Sequence, residues 1–412
     1  MYNKYTLSNG IKVLCEKVEG VRSVSIGIWV GAGSRFEDKE NNGVSHFLEH
    51  MLFKGTRTRS AKQIAEEIDA VGGQINAFTG RECTCFYTKT LDEYSDVALD
   101  ILSDIILNSK LTKPDINIER NVIIEEINMY EDSPEDLVHD LMTEQMWGKS
   151  PLGLPILGTA ECLAGINKTS LREYISQKYI PSNIVIAVAG SFDEPDTVKK
   201  LDKRFARIKS GDHTAPVADK PKFCCGVNIK QKDNEQVNLC IGLKGIELGD
   251  DDNYTLSLIN NIIGGGMSSI LFQKIREELG LVYSIYSYAS AYKYAGQFVV
   301  YAGMNPDQCE KVYKLVWDEL KRFKTEGITE DELKKAKAQF RGNYLMGLEG
   351  SLGRMNALGK SELLLGYVHT PEEILKKVDN ITVSMANELA DKIIDEKNYA
   401  VSAVGKVDRE LF

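Results

Sequence analysis

Apolar and polar residues alternate from Ser23 to Val30, with Val24, Ile26, Ile28 and Val30 on one side, which predicts a strand. Residues 12–15 also read as a strand. After the turn Gly31-Ala32-Gly33-Ser34 and a polar lead over residues 37–42, the period becomes helical. Val44, Phe47, Leu48, Met51 and Leu52 share a face, and Gly55 stands where such a helix would stop. Helical stripes return at residues 60–71 (Ile64, Ala65, Ile68), 93–108 (Val97, Ile101, Leu102, Ile105) and 115–131 (Val122, Ile123, Ile127), the last ended by Pro134. Between the first two, residues 74–91 read as one long strand-like run.

A polar, proline-containing stretch from Ser210 to Pro221 has the character of a linker. Beyond it the order of elements repeats: a strand at 237–242, a helix at 252–263, tyrosine-rich strands at 283–304, a helix at 312–323 and a long helix from Thr329. The pattern predicts two related domains, 1–209 and 223–412, joined by residues 210–222. The period is far longer than that of a solenoid, so it reads as a duplication.

Chemistry concentrates in the first of the repeated helices. His46 and His50 are one turn apart and face the same way, so both imidazoles can reach one ion. Glu49, directly before the second histidine, can contact a water held by that ion without ligating it. The order H-x-x-E-H is the reverse of the more familiar zinc-protease helix. A catalytic zinc site takes three protein ligands plus water, so one ligand is still owed. Residues 115–131 carry Glu119, Glu125 and Glu126. Glu119 and Glu126, seven apart, share a face, while Glu125 points about 100° away. A carboxylate facing inward beside apolar residues is unusual unless paired or metal-bound. Two imidazoles and a carboxylate favour zinc without excluding cobalt or manganese.

With 412 residues the chain can bury two cores, and its net charge of −10 argues against nucleic acid as a partner. No run approaches the roughly 20 apolar residues of a membrane span, and the start has no apolar signal core; the expected location is the cytoplasm. The eight cysteines read as reduced thiols, mostly core filler. Cys83 and Cys85 would share one face of a strand, with no second pair to make a metal site. The run Gly264-Gly265-Gly266 lacks the lysine of a phosphate loop and reads as a hinge or tight turn. His139, His213 and His369 show no partner pattern.

The motif His46-Phe47-Leu48-Glu49-His50, with Glu126 lying 126 − 50 = 76 positions further on, resembles the pitrilysin–insulysin family of zinc metallopeptidases. The stretches Gly72–Thr79, Glu119–Ile127 and Pro151–Gly158 are similar to the family's substrate strand, third-ligand helix and middle loop. The resemblance implies an α+β fold of two related domains, each a mainly antiparallel sheet packed with helices, forming one half of the family's clamshell. It implies His46, His50 and Glu126 as ligands of one zinc per chain, Glu49 as activator of the water, and Glu119 as a support orienting a ligand imidazole. Asn76, Ala77 and Phe78 fall on the strand that pairs with a peptide backbone. Arg276 and Tyr283 are similar to the family's pair that approaches the scissile bond, sensible donors for a developing oxyanion.

The function implied is a zinc-dependent endopeptidase acting on short or unfolded peptides in an enclosed chamber. A single chain has two domains where that chamber uses four, so the expected assembly is a homodimer, each protomer's Arg276 and Tyr283 serving its partner's zinc. The alternatives are a catalytically silent structural subunit and the catalytic half of a heterodimer.

Overall fold

The computed structural model describes residues 2–209 and 213–412; residues 210–212 of the expected linker lie outside the described residues. The chain separates into two compact units, neither continuous in sequence. The first comprises Met1–Ile127, Leu154–Ala218 and Met346–Val368, and the second Asn128–Gly153, Asp219–Leu345 and His369–Phe412.

The first unit is built on a six-stranded sheet of β1 (Asn3–Thr6), β2 (Lys12–Lys17), β3 (Ser23–Val30), β4 (Gln74–Thr79), β5 (Thr84–Leu91) and β6 (Ile184–Gly190). Their spatial order is β1-β2-β6-β3-β5-β4, antiparallel except where β2 runs parallel to β6. Residues 74–91 therefore do not form the single strand expected from their composition. They form a hairpin, closed by a Gly80 N–H bond to the Cys83 carbonyl. The physical reason is the charged, glycine-led tip: the Arg35 guanidinium and the Glu82 carboxylate pair at 2.7 Å with both side chains almost wholly buried, and Arg81 donates to the Leu154 carbonyl. A pair so placed fixes the bend, because breaking it would strand a charge away from water.

One face of the sheet carries Val24, Ile26, Ile28 and Val30 into a core shared with α1 (Val44–Leu52), α2 (Ala61–Ala70), α3 (Ser95–Asn108) and α4 (Lys113–Asp132). The alternation of β3 does not leave its other face to solvent. Ser25, Gly27 and Trp29 lie beneath the helix Ser351–Leu365, whose Met355 and Leu358 join Trp29, Cys83 and Cys85 in a second cluster. Small residues allow this close approach. A Cβ on Gly359 would come within 2.1 Å of the Trp29 ring nitrogen.

The second unit repeats the plan. Its strands are β7 (Gly226–Lys230), β8 (Val237–Lys244), β9 (Val282–Tyr292), β10 (Ala295–Met304) and β11 (Tyr399–Val404), in the order β7-β11-β8-β10-β9. The run β11-β8-β10-β9 thus mirrors β6-β3-β5-β4. Helices Asp252–Ile263, Cys309–Glu326 and Glu330–Gly347 pack on one face, and α5 (Pro134–Trp147) covers the other through Val138, Met142 and Met146. The architecture is α+β with two related sheets. Each unit takes the helix over its outer face from a distant part of the chain, an arrangement that no local pattern announces.

Candidate metal centre

α1 forms because five apolar residues fall on one stripe, and all five are buried. Its N-terminal residue cannot cap it: Gly43 has no side chain and sits in the left-handed region at φ 92°. The cap comes from Glu37 instead. Its buried carboxylate accepts from the N–H groups of Gly43 (2.7 Å) and Ser45 (2.8 Å) and from the Asn42 carboxamide (2.9 Å). Burial pushes the Glu37 carboxyl above its ordinary range, while these hydrogen bonds pull the other way. Orphan N–H groups at a helix start favour a carboxylate there. Sequence reading placed Glu37 in a polar lead; nothing in its spacing marks it as a cap.

α1 presents His46 and His50 with ring centroids 4.6 Å apart, and α4 brings Glu126 to meet them. Glu126 Oε2 lies 3.8 Å from His46 Nε2 and 3.6 Å from His50 Nε2. One ligand atom from each residue lies within 4.8 Å of the others, and this is the one such group among the described residues. Donors bound at about 2.1 Å in a tetrahedral arrangement stand roughly 3.4 Å apart. The observed separations fit an ion of that size, and two imidazoles with one carboxylate are a donor set that leaves a fourth position open.

The surroundings set the protonation states. Burial, and secondarily the charge of His50, pushes His46 down to about 4, so its imidazole is neutral at ordinary pH, the form that ligates. His50 Nδ1 lies 3.1 Å from Glu119 Oε2. In the tautomer that donates from Nδ1 to Glu119, the Nε2 lone pair is left toward Glu126. Glu119 is buried, and its other oxygen meets Lys54 Nζ at 2.5 Å. Lys54 neutralises a charge that would otherwise stand alone in the core. Glu125 is exposed, as its helical position requires.

Glu49 Oε2 accepts from the Thr79 hydroxyl at 2.5 Å. Burial raises the Glu49 carboxyl, and the Thr79 bond and His50 act against it. Thr79 is the last residue of β4, the strand at the sheet edge, so one short strand joins the edge to the carboxylate. Thr79 and Lys54 were both missed from sequence, because each acts through a partner distant in the chain.

Along β4, exposure alternates. Ile75 and Ala77 pack toward the α1 side, whereas Phe78 turns to the opposite face and meets Trp29 edge-on at 5.5 Å. Asn76, also exposed, folds its side chain back onto the Ala77 N–H. A partner strand that used the Ala77 N–H would have to displace the Asn76 carboxamide oxygen. The first unit thus gathers His46, Glu49, His50, Glu119 and Glu126 beside the edge strand. Arg276 and Tyr283 belong to the second unit. Arg276 sits on a π-helical turn, Phe272–Glu278, with its guanidinium 4.6 Å from the Phe272 ring centroid, and Tyr283 is 74% exposed near the start of β9.

The chain is 42% identical to YmxG of Bacillus subtilis, named an uncharacterized zinc protease, over 98% of both chains. It belongs to the insulinase family, peptidase family M16. The profile described as Insulinase (Peptidase family M16) matches residues 12–160, and that described as Peptidase M16 inactive domain matches residues 165–340. A protein of Streptomyces coelicolor named a zinc protease is 37% identical over 97% of this chain and 88% of its own. Among solved structures, a protease from Helicobacter pylori superposes with a TM-score of 0.93 at 21% identity, covering 98% of this chain and 99% of that one. The peptidase M16 inactive domain from Pseudomonas fluorescens superposes with a TM-score of 0.91 at 20% identity, covering 98% of both. These two establish the family fold. Among the described residues no helix is long and apolar enough to cross a membrane.

Proposed function

We propose that the chain is a zinc-dependent endopeptidase that hydrolyses short or unfolded peptides in an enclosed chamber. The observation that carries this reading is the convergence of His46, His50 and Glu126 beside a base, Glu49, tied to an exposed strand edge. Membership of a family whose relatives are named zinc proteases supports it. When bound, zinc supplies a Lewis acid that polarises the scissile carbonyl and makes water acidic enough to be deprotonated near neutral pH.

The chain's own residues do the rest. The edge of β4 pairs with the substrate backbone and fixes its register by main-chain hydrogen bonds. Glu49 takes the proton of the attacking water and then delivers it to the leaving amine. Its hydrogen bond to Thr79 fixes which oxygen faces the reacting atoms. Glu119 keeps His50 in the ligating tautomer. Arg276 and Tyr283 donate to the oxyanion, and we assign them to the zinc of a partner copy in a homodimer. One zinc per chain and a cytoplasmic location complete the reading.

The test is a purified chain, assayed on a quenched peptide with and without chelator while its metal is counted by mass spectrometry. Chelator-sensitive cleavage by the chain alone is expected. A metal-free, inert protein would mark a silent subunit, and cleavage appearing only with a second, different chain would mark half of a heterodimer. For the assembly, mixing Glu49→Gln chains with Arg276→Ala chains restores activity if the pair acts on the partner's zinc. Persistent inactivity in dimers that form normally contradicts it.

A further inference from the structure

The second unit repeats the placement of the metal helix without its side chains. Helix Asp252–Ile263 buries Thr255, Leu256, Leu258, Ile259, Ile262 and Ile263. α1 buries Val44, Ser45, Phe47, Leu48, Met51 and Leu52 at the same spacing, and His46 besides. In this register Ser257 stands for His46, Asn260 for Glu49 and Asn261 for His50. The long helices match too. Glu330–Gly347 buries Leu333 and Ala336 as α4 buries Ile116 and Glu119. Asn343 follows Ala336 by seven residues, as Glu126 follows Glu119. Even the tie to the edge strand is kept: the Ser287 hydroxyl of β9 donates to Asn260 Oδ1 at 2.7 Å, as Thr79 of β4 donates to Glu49.

These residues converge on a cavity of about 380 Å³, lined by Ser257, Asn260, Asn261, Phe340, Asn343 and Tyr344. None of the six carries a charge or an imidazole, so the donor set does not suit zinc. It suits a different ligand. Each carboxamide both donates and accepts; Asn261 is half-buried and Asn343 exposed, so both are open to a ligand that displaces water. Phe340 and Tyr344 form a stacked wall, with ring centroids 5.9 Å apart and planes 17° from parallel.

We propose that this cavity binds an uncharged amide, the carboxamide side chain or main-chain amide of a peptide, between Asn261 and Asn343 and against the Phe340–Tyr344 wall. A planar amide offers one donor, one acceptor and two flat faces, which is what the lining complements. The volume lies within the range of small-ligand sites. A carboxylate would meet no opposite charge among these six residues and could not donate to an Asn oxygen as an amide does. The inference concerns the second unit alone and holds or fails whether or not the first is catalytic.

The probe is N-acetyl-asparagine N-methylamide, titrated into the full-length chain and followed by ligand-observed NMR. N-acetyl-aspartate N-methylamide serves as the charged isostere. Saturable binding of the neutral probe is expected, with the acid weaker by about two- to tenfold, the loss of the hydrogen bond that its missing N–H would donate. Asn261→Leu and Asn343→Leu each weaken the neutral probe by about two- to tenfold, the loss of one hydrogen bond, with zinc content unchanged. The proposal is overturned if wild type shows no saturable binding of the neutral probe, if it binds both probes alike, or if both folded variants bind as wild type does.

Discussion

The two units share a strand order, a pair of facing helices and a hydroxyl-bearing edge strand, yet they present opposite chemistry at the same place. In the first the positions concerned are His46, Glu49, His50 and Glu126; in the second the corresponding ones are Ser257, Asn260, Asn261 and the exposed Asn343. The backbone plan therefore sets where a site is, and a handful of side chains sets what it does. The supporting residues change with the ligands. Glu119, buried and paired with Lys54, lies against the His50 imidazole, whereas its counterpart Ala336 has no polar side chain to offer. A buried carboxylate is costly, and it persists where it has a cation and an imidazole to serve.

The largest effect expected from breaking this contrast is chemical. Glu49→Gln should lower peptide hydrolysis by about 10²–10⁴-fold while leaving zinc in place, checked by assay and metal analysis together. Full activity in that variant would remove the base from the account. Conversely, a Ser257→His, Asn261→His, Asn343→Glu graft should raise bound zinc from one to two per folded chain; an unchanged count would break the positional equivalence of the two units. Next comes support: Glu119→Gln should weaken zinc by about 10–100-fold in competition with a chelator, through loss of the His50 tautomer.

Packing gives a smaller comparison. Gly359→Ala meets the rigid Trp29 ring at 2.1 Å and should cost about 1–3 kcal/mol in urea unfolding. Gly242→Ala in the second unit meets the flexible Met142 sulfur at 2.4 Å and should cost less. Equal losses would mean that the stiffness of the neighbour does not decide the outcome.

The smallest effect is a pH dependence seated in the second unit. His139 lies 2.9 Å from the Tyr288 hydroxyl and 3.0 Å from that of Tyr286, with Cys240 at 3.5 Å and Glu135 accepting from Tyr286. Burial depresses its imidazole below the ordinary value of 6.5, opposed by the charge of Asp136. The unfolded chain therefore takes the proton first. Stability is full above about pH 6.5 and falls as the pH drops below it. Metal-free protein should show this decline in urea midpoint alongside the one that His46 contributes, and His139→Gln should make the combined decline shallower. An identical decline in the variant would assign it elsewhere.

How much of this could be read in the sequence depends on distance along the chain. His46, Glu49 and His50 are spaced by one helix, so their convergence follows from helical geometry alone. Glu126 needed a second helix with an inward carboxylate; its residues left two choices, Glu119 and Glu126, and the fold puts Glu126 beside both imidazoles and Glu119 beside His50 Nδ1 and Lys54. Thr79, Lys54 and Glu37 escaped because each is defined by a partner in another element. The hairpin within residues 74–91 was hidden by apolar residues on both sides of a four-residue tip whose bend depends on Arg35, far upstream. Asn260 and Asn261 read as ordinary polar residues until their helix is laid over α1.

The central claim is that the three donors of the first unit hold one zinc. Native mass spectrometry of the wild-type chain beside Glu126→Ala tests it directly. The account predicts one zinc per wild-type chain and none in the folded variant at the same free zinc concentration. Equal zinc occupancy in the two proteins would contradict it.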